Sequence, residues 1–317
     1  MPLIWMRLLD MTAPDPIVIT GANIGLGYDT ARALLERNPQ QALILAVRDV
    51  TRGQVAAQKL GRQTGASAIE VRALDLAALA SIRRFVEDLT KTNGSKIAAL
   101  ICNAGLQTVT PATATSDGFE TTFGVNHLGH FLLANLMLPL MADNGRILFV
   151  ASGTHDPATK TGLPGPIWRH PSEFAKPDWG GEDSMTAGRR AYTTSKLCNI
   201  MTAFEMARRQ SEAGSAITIN AFDPGFMPGS GLARNYPLPV RIAWYGILPL
   251  LRLFIRRMNS TRGSGRELAQ LATALNFDGV TGQYYEKLRP VTASSLARDI
   301  DKQAQLWAVS EALTGLA

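Results

Sequence analysis

The chain has 317 residues, of which 46% are hydrophobic and 18% are charged. These proportions exclude a disordered or fibrous protein and predict a sizeable globular core. The formal net charge is +6, but Lys and Arg are scattered rather than gathered in runs, so the sequence predicts no nucleic-acid partner. The excess positive charge is consistent with weak attraction of phosphorylated small molecules or of anionic lipid.

The cysteines and the N-terminus bear on the compartment. Cys102 and Cys198 each fall in a segment that we predict below to be a core strand or helix, so we expect no disulfide framework and a reducing, cytoplasmic compartment. Residues 1–9 form an apolar run without the basic start or the cleavage site of a signal peptide, and the run is too short to cross a bilayer. The sequence is compatible with a peripheral contact between this run and a membrane.

Residues 17–150 alternate short apolar runs with longer segments of helical periodicity. This alternation predicts βαβ units and a parallel sheet of six or seven strands, covered by helices on both faces. The predicted strands are Ile17–Thr20, Ala42–Val47, Ile69–Ala73, Ala98–Cys102, Arg146–Ala151 and Ile217–Ala221. The predicted helices are Tyr28–Arg37, Gly53–Thr64, Leu79–Lys91, Phe119–Met141, Ala191–Ser211 and Ala297–Leu313.

Two segments depart from this alternation. Residues 153–190 are rich in Gly, Pro and Trp, and residues 226–262 combine proline with a bulky apolar run. Long loops in compact domains usually carry function, so we predict an active-site insertion and a substrate lid, respectively. We expect one domain over residues 16–317 after an extension of residues 1–15. Residues 237–258 suit a cover over a large apolar substrate, a helix packed on the core, or a helix lying in a membrane surface.

A glycine-rich turn follows the first predicted strand directly. It reads Thr20-Gly21-Ala22-Asn23-Ile24-Gly25-Leu26-Gly27 and leads into the first predicted helix. Glycines there let the backbone turn tightly and approach a pyrophosphate, whose charge a helix N-terminus stabilises. Many such matches are merely tight turns, but the place after the first strand favours a dinucleotide site. Its predicted contacts are Gly21, Asn23, Ile24, Gly25, Leu26 and Gly27.

Arg48 ends the second predicted strand. In dinucleotide sites an acidic residue at this strand tip binds the ribose 2′-hydroxyl of NAD, whereas an arginine favours the 2′-phosphate of NADP. Arg48, with Arg52 nearby, therefore predicts NADP(H) as the cofactor. The alternative is a solvated arginine at a strand end.

Tyr192 and Lys196 stand four residues apart and so share one face of a predicted helix. Reduction of a carbonyl requires a proton at oxygen as hydride reaches carbon. A tyrosine, with a pKa of about 10, needs a nearby cation to release its proton at neutral pH. Lys196 can supply that charge, so the pair predicts an acid/base centre.

The G-x-x-x-G-x-G spacing and the motifs that follow it resemble the short-chain dehydrogenase/reductase family over roughly residues 16–315. The resemblance implies a Rossmann-type α/β fold, a doubly wound parallel sheet in three α/β/α layers, as a single domain with lid insertions. It implies that Ser152 hydrogen-bonds the substrate oxygen and that Asn126 holds a water for a proton relay behind Lys196. The alternative for Asn126 is a core polar residue bonded to backbone, and both roles are compatible.

The resemblance also extends the cofactor site. It implies that Tyr192 and Lys196 contact the cofactor, with Lys196 bonded to the nicotinamide ribose. The other implied contacts are Asp75, Leu76, Asn103, Ala104, Gly105, Pro224, Gly225 and Ser230. Two positions depart from the family: Ala151 replaces a serine, and Gly229 replaces the threonine that binds the carboxamide. Ser230 or backbone groups are expected to do that work.

The resemblance is strongest to the branch that contains retinol dehydrogenases and light-dependent protochlorophyllide reductase. The segments that carry it are Leu45–Asp49, Asn126–Phe131, Tyr192–Asn199, Gly231–Arg234 and Leu306–Glu311. It implies NADP(H)-dependent interconversion of a carbonyl and an alcohol on a small apolar or amphiphilic substrate. Phe226 stands where the photoactive reductases have a cysteine, which favours a dark reaction. Reduction of a conjugated C=C bond and a catalytically inactive NADP-binding regulator are the alternatives.

The sequence has four histidines, and two of them lie three residues apart. His127 and His130 have a spacing seen in metal sites, but no third ligand is evident, so we predict no metal. For His155 and His170, in the insertion, surface exposure is predicted over substrate contact. Family members often pair through the helices that correspond to residues 119–141 and 191–211, and a homo-oligomer stays open.

Overall fold

The computed structural model describes residues 14–92, 94–110, 112–178, 180–227 and 259–316, together with the isolated residues 238, 242 and 246. Within this part of the chain, eight strands form one sheet, and helices lie on both of its faces. The structure confirms the predicted three-layer α/β/α fold with a doubly wound sheet.

The secondary structure elements are as follows. The strands are β1 (Ile17–Thr20), β2 (Leu43–Val47), β3 (Ile69–Ala73), β4 (Ile97–Cys102), β5 (Met141–Val150), β6 (Thr218–Asp223), β7 (Tyr284–Glu286) and β8 (Arg289–Pro290). The helices are α1 (Gly25–Arg37), α2 (Val50–Thr64), α3 (Leu79–Thr92), α4 (Thr121–Phe123), α5 (Gly129–Met137), α6 (Ser184–Glu212), α7 (Thr261–Thr273) and α8 (Ile300–Thr314). A π-helical turn, Gly124–Leu128, joins α4 to α5.

The strand order is β3-β2-β1-β4-β5-β6-β7-β8. Strands β1 to β7 are parallel, and β8 pairs antiparallel with β7. Because both faces of the sheet are covered, β2 is apolar and buried at every position rather than alternating. The carboxyl ends of β1, β4, β5 and β6 therefore meet along one stretch of the sheet edge, where open α/β sheets bind their ligands.

Two apolar cores separate the layers. One lies under α3, α5, α6 and α8, and the other lies under α1, α2 and α7. Successive side chains of β6 alternate between them: Ala221 belongs to the first core and Phe222 to the second. The next residue, Asp223, consequently points to the α6 face of the sheet.

Helix α8 packs against α5, α6 and the π-helical turn. The Trp307 ring lies 4.8 Å from the Phe131 ring, centroid to centroid, and the Arg209 guanidinium lies 4.5 Å from the Trp307 ring centroid. The Nε2 atom of His127 and the hydroxyl of Ser310 are hydrogen-bonded at 2.9 Å. These contacts explain the apolar face that the sequence shows around Leu306 and Trp307.

Three elements differ from the sequence prediction because they are short or lie beyond the periodic segments. Strands β7 and β8 have three and two residues, too few for a pattern to show, so the described part of the chain holds more strands than predicted. Helix α7 was not predicted. It crosses α1 at Gly265, where a Cβ would lie 2.7 Å from the backbone carbon of Asp29.

Two predicted helix boundaries were wrong by four residues or more, whereas the other predicted helices begin and end within three residues of the observed bounds. The helix predicted over residues 119–141 ends earlier, because Pro139 sits in a 3-10 turn and Met141 begins β5. The helix predicted to start at Ala191 starts at Ser184, because the side chain of Asp183 accepts the N–H groups of Met185 and Thr186. The end of the predicted insertion is therefore helical.

Membrane contact can be assessed from the helices of the described residues. Among these, no helix is both long and apolar enough to pass through a membrane. Residues 1–9 and nearly all of residues 237–258 lie outside the described part, so their membrane contact and the lid stay predictions. Cys102 and Cys198 are free and buried, and burial raises the pKa of both thiols, which makes them unreactive.

Candidate active site

The glycine-rich turn leaves the N-terminus of α1 without a side-chain cap. Ile24 holds the N-cap position, no side chain accepts a hydrogen bond there, and the first turn has no acidic residue. The N-termini of α2, α6, α7 and α8 are capped instead by Asp49, Asp183, Ser260 and Asp299. A Cβ at Gly25 would meet nothing within 4 Å. The open, uncapped helix end fits an anion bound by backbone N–H groups.

The N-A-G motif after β4 packs directly on this turn. The Asn103 Nδ2 atom donates to the Thr20 carbonyl at 2.8 Å, and a Cβ at Gly27 would lie 2.5 Å from that nitrogen. A Cβ at Gly21, whose φ is +67°, would lie 3.0 Å from the Cβ of Ala104. These two glycines are therefore required by packing within the protein, whereas Gly25 faces the open space.

Lys196 and Tyr192 lie on the inner face of α6, as their spacing predicts. The Lys196 Nζ atom is buried, donates to the Val150 carbonyl at 2.8 Å, and lies 5.7 Å from the centroid of the Tyr192 ring. Burial lowers the pKa of Lys196 to about 8, although attraction by Asp223 opposes the shift. The ammonium form thus still predominates at neutral pH, where it can stabilise a tyrosinate.

Gly105 borders this lysine. A Cβ at Gly105 would lie 3.5 Å from the Asn126 Oδ1 atom and 3.6 Å from the Lys196 Nζ atom. The structure therefore brings the N-A-G motif, the predicted relay asparagine and the predicted catalytic lysine into one place.

Ser152 follows β5 and caps a short 3-10 turn, Gly153–His155. Its Oγ atom accepts the N–H of Thr154 at 3.3 Å. Because that bond uses only a lone pair, the hydroxyl proton of Ser152 remains to be donated to a substrate oxygen.

His155 holds the same turn, and the prediction that it is surface-exposed was wrong. The side chain is 2% exposed. Its Nδ1 atom donates to the Ser152 carbonyl at 2.9 Å, and its Nε2 atom accepts the N–H of Ser294 at 3.1 Å. A ring that must donate at one nitrogen and accept at the other is neutral, and burial lowers its pKa accordingly. His170 is exposed, as predicted.

The side chain of Asn126 joins the loop after β4 to α6 through both of its amide hydrogens and its oxygen. Its Nδ2 atom donates to the Leu106 carbonyl at 2.9 Å and to the Ser195 hydroxyl at 3.0 Å, while Oδ1 accepts the Leu106 N–H at 2.9 Å. Asn126 lies in the π-helical turn, a feature often found at functional sites. This structural role was among the predicted ones, and the water relay stays a prediction.

Thr20 and His130 were not assigned a site role from the sequence, yet they connect its parts. The Nδ1 atom of His130 donates to the Asn126 carbonyl at 3.1 Å, so Nε2 accepts the Thr20 hydroxyl at 3.0 Å. The Thr20 oxygen in turn accepts the N–H groups of Asn103 and Ala104, both at 2.9 Å. A hydroxyl residue just before Gly21 and a histidine one turn after Asn126 were the signals in the sequence.

Because His127 and His130 are buried, we expect the folded protein to lose stability as the pH falls. Burial lowers the pKa of His127 to about 3 and that of His130 to about 4, so both stay neutral in the folded chain. The unfolded chain protonates them below about pH 6.5 and then binds more protons. The free energy of unfolding should therefore fall from pH 6.5 to 4.5, by up to about 1.4 kcal/mol per pH unit for each histidine.

Urea unfolding at pH 6.5, 5.5 and 4.5 measures this dependence. His127→Asn should reduce the slope by about 1.4 kcal/mol per pH unit, and the exposed His170→Asn should leave it unchanged. Equal slopes in the wild type and His127→Asn would contradict the assignment.

Arg48 lies exposed at the end of β2. Within the described part of the chain its guanidinium forms no hydrogen bond or ion pair. Arg52, by contrast, forms an ion pair with Asp49 at 3.2 Å. Of the two arginines, Arg48 is thus the one whose charge is left for a ligand.

The remaining predicted contacts shape turns at the same sheet edge. After β3, Asp75 Oδ1 accepts the Ala77 N–H at 3.0 Å, and the buried Leu76 packs against α5. After β6, Gly225 has a φ of +74°, and the Pro224 carbonyl accepts the hydroxyl of Ser264 at 2.7 Å. Ser230 lies outside the described residues.

The insertion runs alongside Tyr192. The hydroxyl of Thr193 donates to the Pro164 carbonyl at 3.0 Å, and the Ile167 N–H donates to the Thr194 hydroxyl at 3.3 Å. Hydrogen bonds to Thr193 and Thr194, the two residues after Tyr192, therefore attach the middle of the insertion to α6.

Comparisons with known proteins agree with this geometry. A sequence model of the family described as short chain dehydrogenase matches residues 15–161. The chain is 35% identical over 302 residues to retinol dehydrogenase 12 of Mus musculus, covering 95% of this chain and 86% of that protein. It is 34% identical over 323 residues to chloroplastic protochlorophyllide reductase A of Oryza sativa subsp. japonica, covering 95% and 80%. A crystal structure of an uncharacterized protein from Mycobacterium paratuberculosis superimposes with a TM-score of 0.70 at 32% identity, covering 96% and 94%.

Proposed function

Because the chain belongs to the short-chain dehydrogenase/reductase family, in the branch of retinol dehydrogenases and protochlorophyllide reductases, we propose that it is an NADP(H)-dependent oxidoreductase. In this proposal it interconverts a ketone or aldehyde and an alcohol on an apolar or amphiphilic substrate. The observation that carries the proposal is the buried Lys196 ammonium beside Tyr192, at the sheet edge that also holds the uncapped N-terminus of α1.

The residues present fit a nicotinamide dinucleotide. The N-terminus of α1, open at Gly25, would bind the pyrophosphate, and Arg48 would bind the 2′-phosphate of the adenosine ribose. Gly105 and Lys196 would border the nicotinamide ribose. When bound, the cofactor supplies the hydride for reduction or accepts it in oxidation.

The chain's own residues then handle the oxygen and the proton. The Ser152 hydroxyl donates a hydrogen bond to the substrate carbonyl and orients it. The Tyr192 hydroxyl gives its proton to the same oxygen as the carbon is reduced, and the Lys196 ammonium stabilises the tyrosinate that remains. In alcohol oxidation the same proton moves back to Tyr192.

The surroundings of the site support an apolar substrate. Phe226, directly after the Pro224–Gly225 turn, is 45% exposed, and the half-buried Ile167 of the insertion is bonded to Thr194, two residues after Tyr192. Small-molecule sites are lined mainly by apolar side chains of this kind. Relatives in the branch include proteins named retinol dehydrogenase and polyprenol dehydrogenase, names that refer to apolar alcohols.

Cofactor titration of Arg48→Ala tests the dinucleotide site. We expect the wild type to bind NADPH more tightly than NADH, and Arg48→Ala to weaken NADPH binding about 10- to 100-fold because a charge-assisted contact to phosphate is lost. NADH binding should be unchanged. Fluorescence titration or calorimetry with both cofactors gives the dissociation constants.

Arg52→Ala is the matched control, since Asp49 already pairs with that guanidinium. It should weaken NADPH binding much less than Arg48→Ala does. If the wild type bound neither cofactor, a role as an oxidoreductase would be ruled out. If NADPH were bound, a screen of apolar aldehydes and ketones at fixed NADPH would identify the substrate class.

A further inference from the structure

Asp223, the last residue of β6, buries a carboxyl group beside the proposed active site. The residue is 7% exposed. Its Oδ1 atom accepts the N–H of Gly225 at 2.9 Å, and its Oδ2 atom accepts the hydroxyl of Tyr284 at 3.4 Å. The backbone N–H of Gly153 is a further donor to the carboxyl group. One carboxylate thus joins the turns after β5 and β6 to the first residue of β7, and the mechanism above does not use it.

The same carboxyl group lies on the Lys196 side of the sheet. Val150, whose carbonyl accepts from Lys196, pairs with Phe222 across β5 and β6. Asp223 follows Phe222 and points to the α6 face. A buried carboxylate is costly unless donors compensate it, and here two backbone N–H groups and a phenol donate to it. Its charge also attracts the Lys196 ammonium on the same side of the sheet.

The other ionisable groups around this pair come from β7, the turn after β5, α5 and α6. Burial raises the pKa of Asp223, repulsion by Glu286 adds to the shift, and the donors from Gly225, Gly153 and Tyr284 oppose it. Burial also raises the pKa of Tyr284, and the nearby carboxylates of Asp223, Glu286 and Asp156 raise it further. The phenol of Tyr284 therefore stays a neutral donor. Lys196 faces the neutral His130 and, on its own helix, Tyr192.

We propose that Asp223 is a positioning residue for the proposed reaction: it fixes the turn after Ser152 to the Pro224–Gly225 turn, and its negative charge holds Lys196 in the ammonium form beside Tyr192. The inference rests on the proposed function. It assigns to the Asp223 charge the role of extending carbonyl reduction to higher pH. Reduction needs the ammonium because the tyrosinate is otherwise unsupported. Loss of the Lys196 proton therefore sets the alkaline limit of the activity.

Asp223→Asn tests the proposal because it removes the charge and keeps an oxygen that can accept the Gly225 N–H. The probe is NADPH-dependent reduction of an apolar aldehyde between pH 5.5 and 10, with kcat and kcat/KM measured at each pH. We expect the alkaline limb of kcat/KM to move about one pH unit lower, since a nearby opposite charge shifts a pKa by about that much or more. A residue that served structure alone would lower activity at every pH and leave the limb in place, which would overturn the proposal.

Three further variants sharpen the test. Glu286→Gln removes an exposed negative charge on β7 and should leave the limb in place. Tyr284→Phe removes a donor while Asp223 stays charged, so it too should leave the limb in place. If Asp223→Asn does not fold, Asp223→Ser removes the charge with a smaller side chain whose hydroxyl can accept the Gly225 N–H. It should move the limb by the same amount.

A measurement without turnover separates this inference from the proposed function. In the wild type, Lys196 has a pKa of about 8, so lowering the pH from 8 to 7 largely protonates it in the folded chain. In Asp223→Asn the folded lysine should protonate only at lower pH, so unfolding stability should fall more steeply between pH 8 and 7 than in the wild type. If the wild type reduced no aldehyde, the proposed function would fail. The comparison of the two stability slopes would still show whether Asp223 stabilises the Lys196 ammonium. Equal slopes would overturn it.

Discussion

Tyr192→Phe should lower kcat for carbonyl reduction about a thousandfold, because the substrate oxygen loses its proton donor. Tyr192 is 7% exposed, and its ring lies beside the Lys196 Nζ atom. Phenylalanine fills the same space, so the fold should be retained. NADPH binding should stay within a factor of about three, because at most one hydrogen bond to the cofactor is lost. Single-turnover rates at saturating NADPH measure the chemical step directly.

Tyr285→Phe is the matched control. Tyr285 is also buried, but it belongs to the core on the other face of the sheet. Its kcat should stay within about twofold of the wild type, because its hydroxyl is remote from Lys196. Equal rates in the wild type and Tyr192→Phe would remove Tyr192 from the mechanism.

Gly188→Ala should be the most destabilising single-methyl change in the site. Gly188 lies one turn before Tyr192 in α6, and a Cβ there would overlap the carbonyl oxygen of Thr108 in the loop after β4. Because backbone rather than a flexible side chain is in the way, the helix must move away from the loop. We expect a loss of at least about 3 kcal/mol in the free energy of unfolding, measured by urea denaturation.

Gly94→Ala controls for the substitution itself, since a Cβ at Gly94 would meet nothing within 4 Å. Its free energy of unfolding should change by less than about 0.5 kcal/mol. A Gly188→Ala protein as stable as the wild type would show that α6 and the Thr108 loop are not in the close contact described.

Local patterns were sufficient to predict the central part of the fold. Strands β1 and β3 match their predicted bounds. In β1 a β-branched run ends at the glycine-rich turn, and in β3 apolar residues alternate with charged ones, so both patterns mark their boundaries. The G-x-x-x-G-x-G turn, the N-A-G motif and the Tyr192–Lys196 pair are also local, and the structure brings them together at one edge of the sheet.

Contacts between distant segments could not be predicted from local patterns. His155 was expected at the surface because it lies in a glycine- and proline-rich insertion, yet its partner Ser294 is 139 residues away. Asp223 gave no signal, because Asp-Pro-Gly predicts only a turn, and its contact with Tyr284 depends on the pairing of β6 with a three-residue strand. Likewise, the role of His130 depends on Thr20, 110 residues earlier.

Helix α8 has a consequence for assembly. It lies on α5 and α6, where Trp307 contacts Phe131 and Arg209, and Ser310 is hydrogen-bonded to His127 in the π-helical turn. A second copy of the chain would have to compete with this intramolecular helix, whose effective concentration at the surface is far above that of a separate molecule. An interface on this part of α5 and α6 would therefore have to include α8 or displace it.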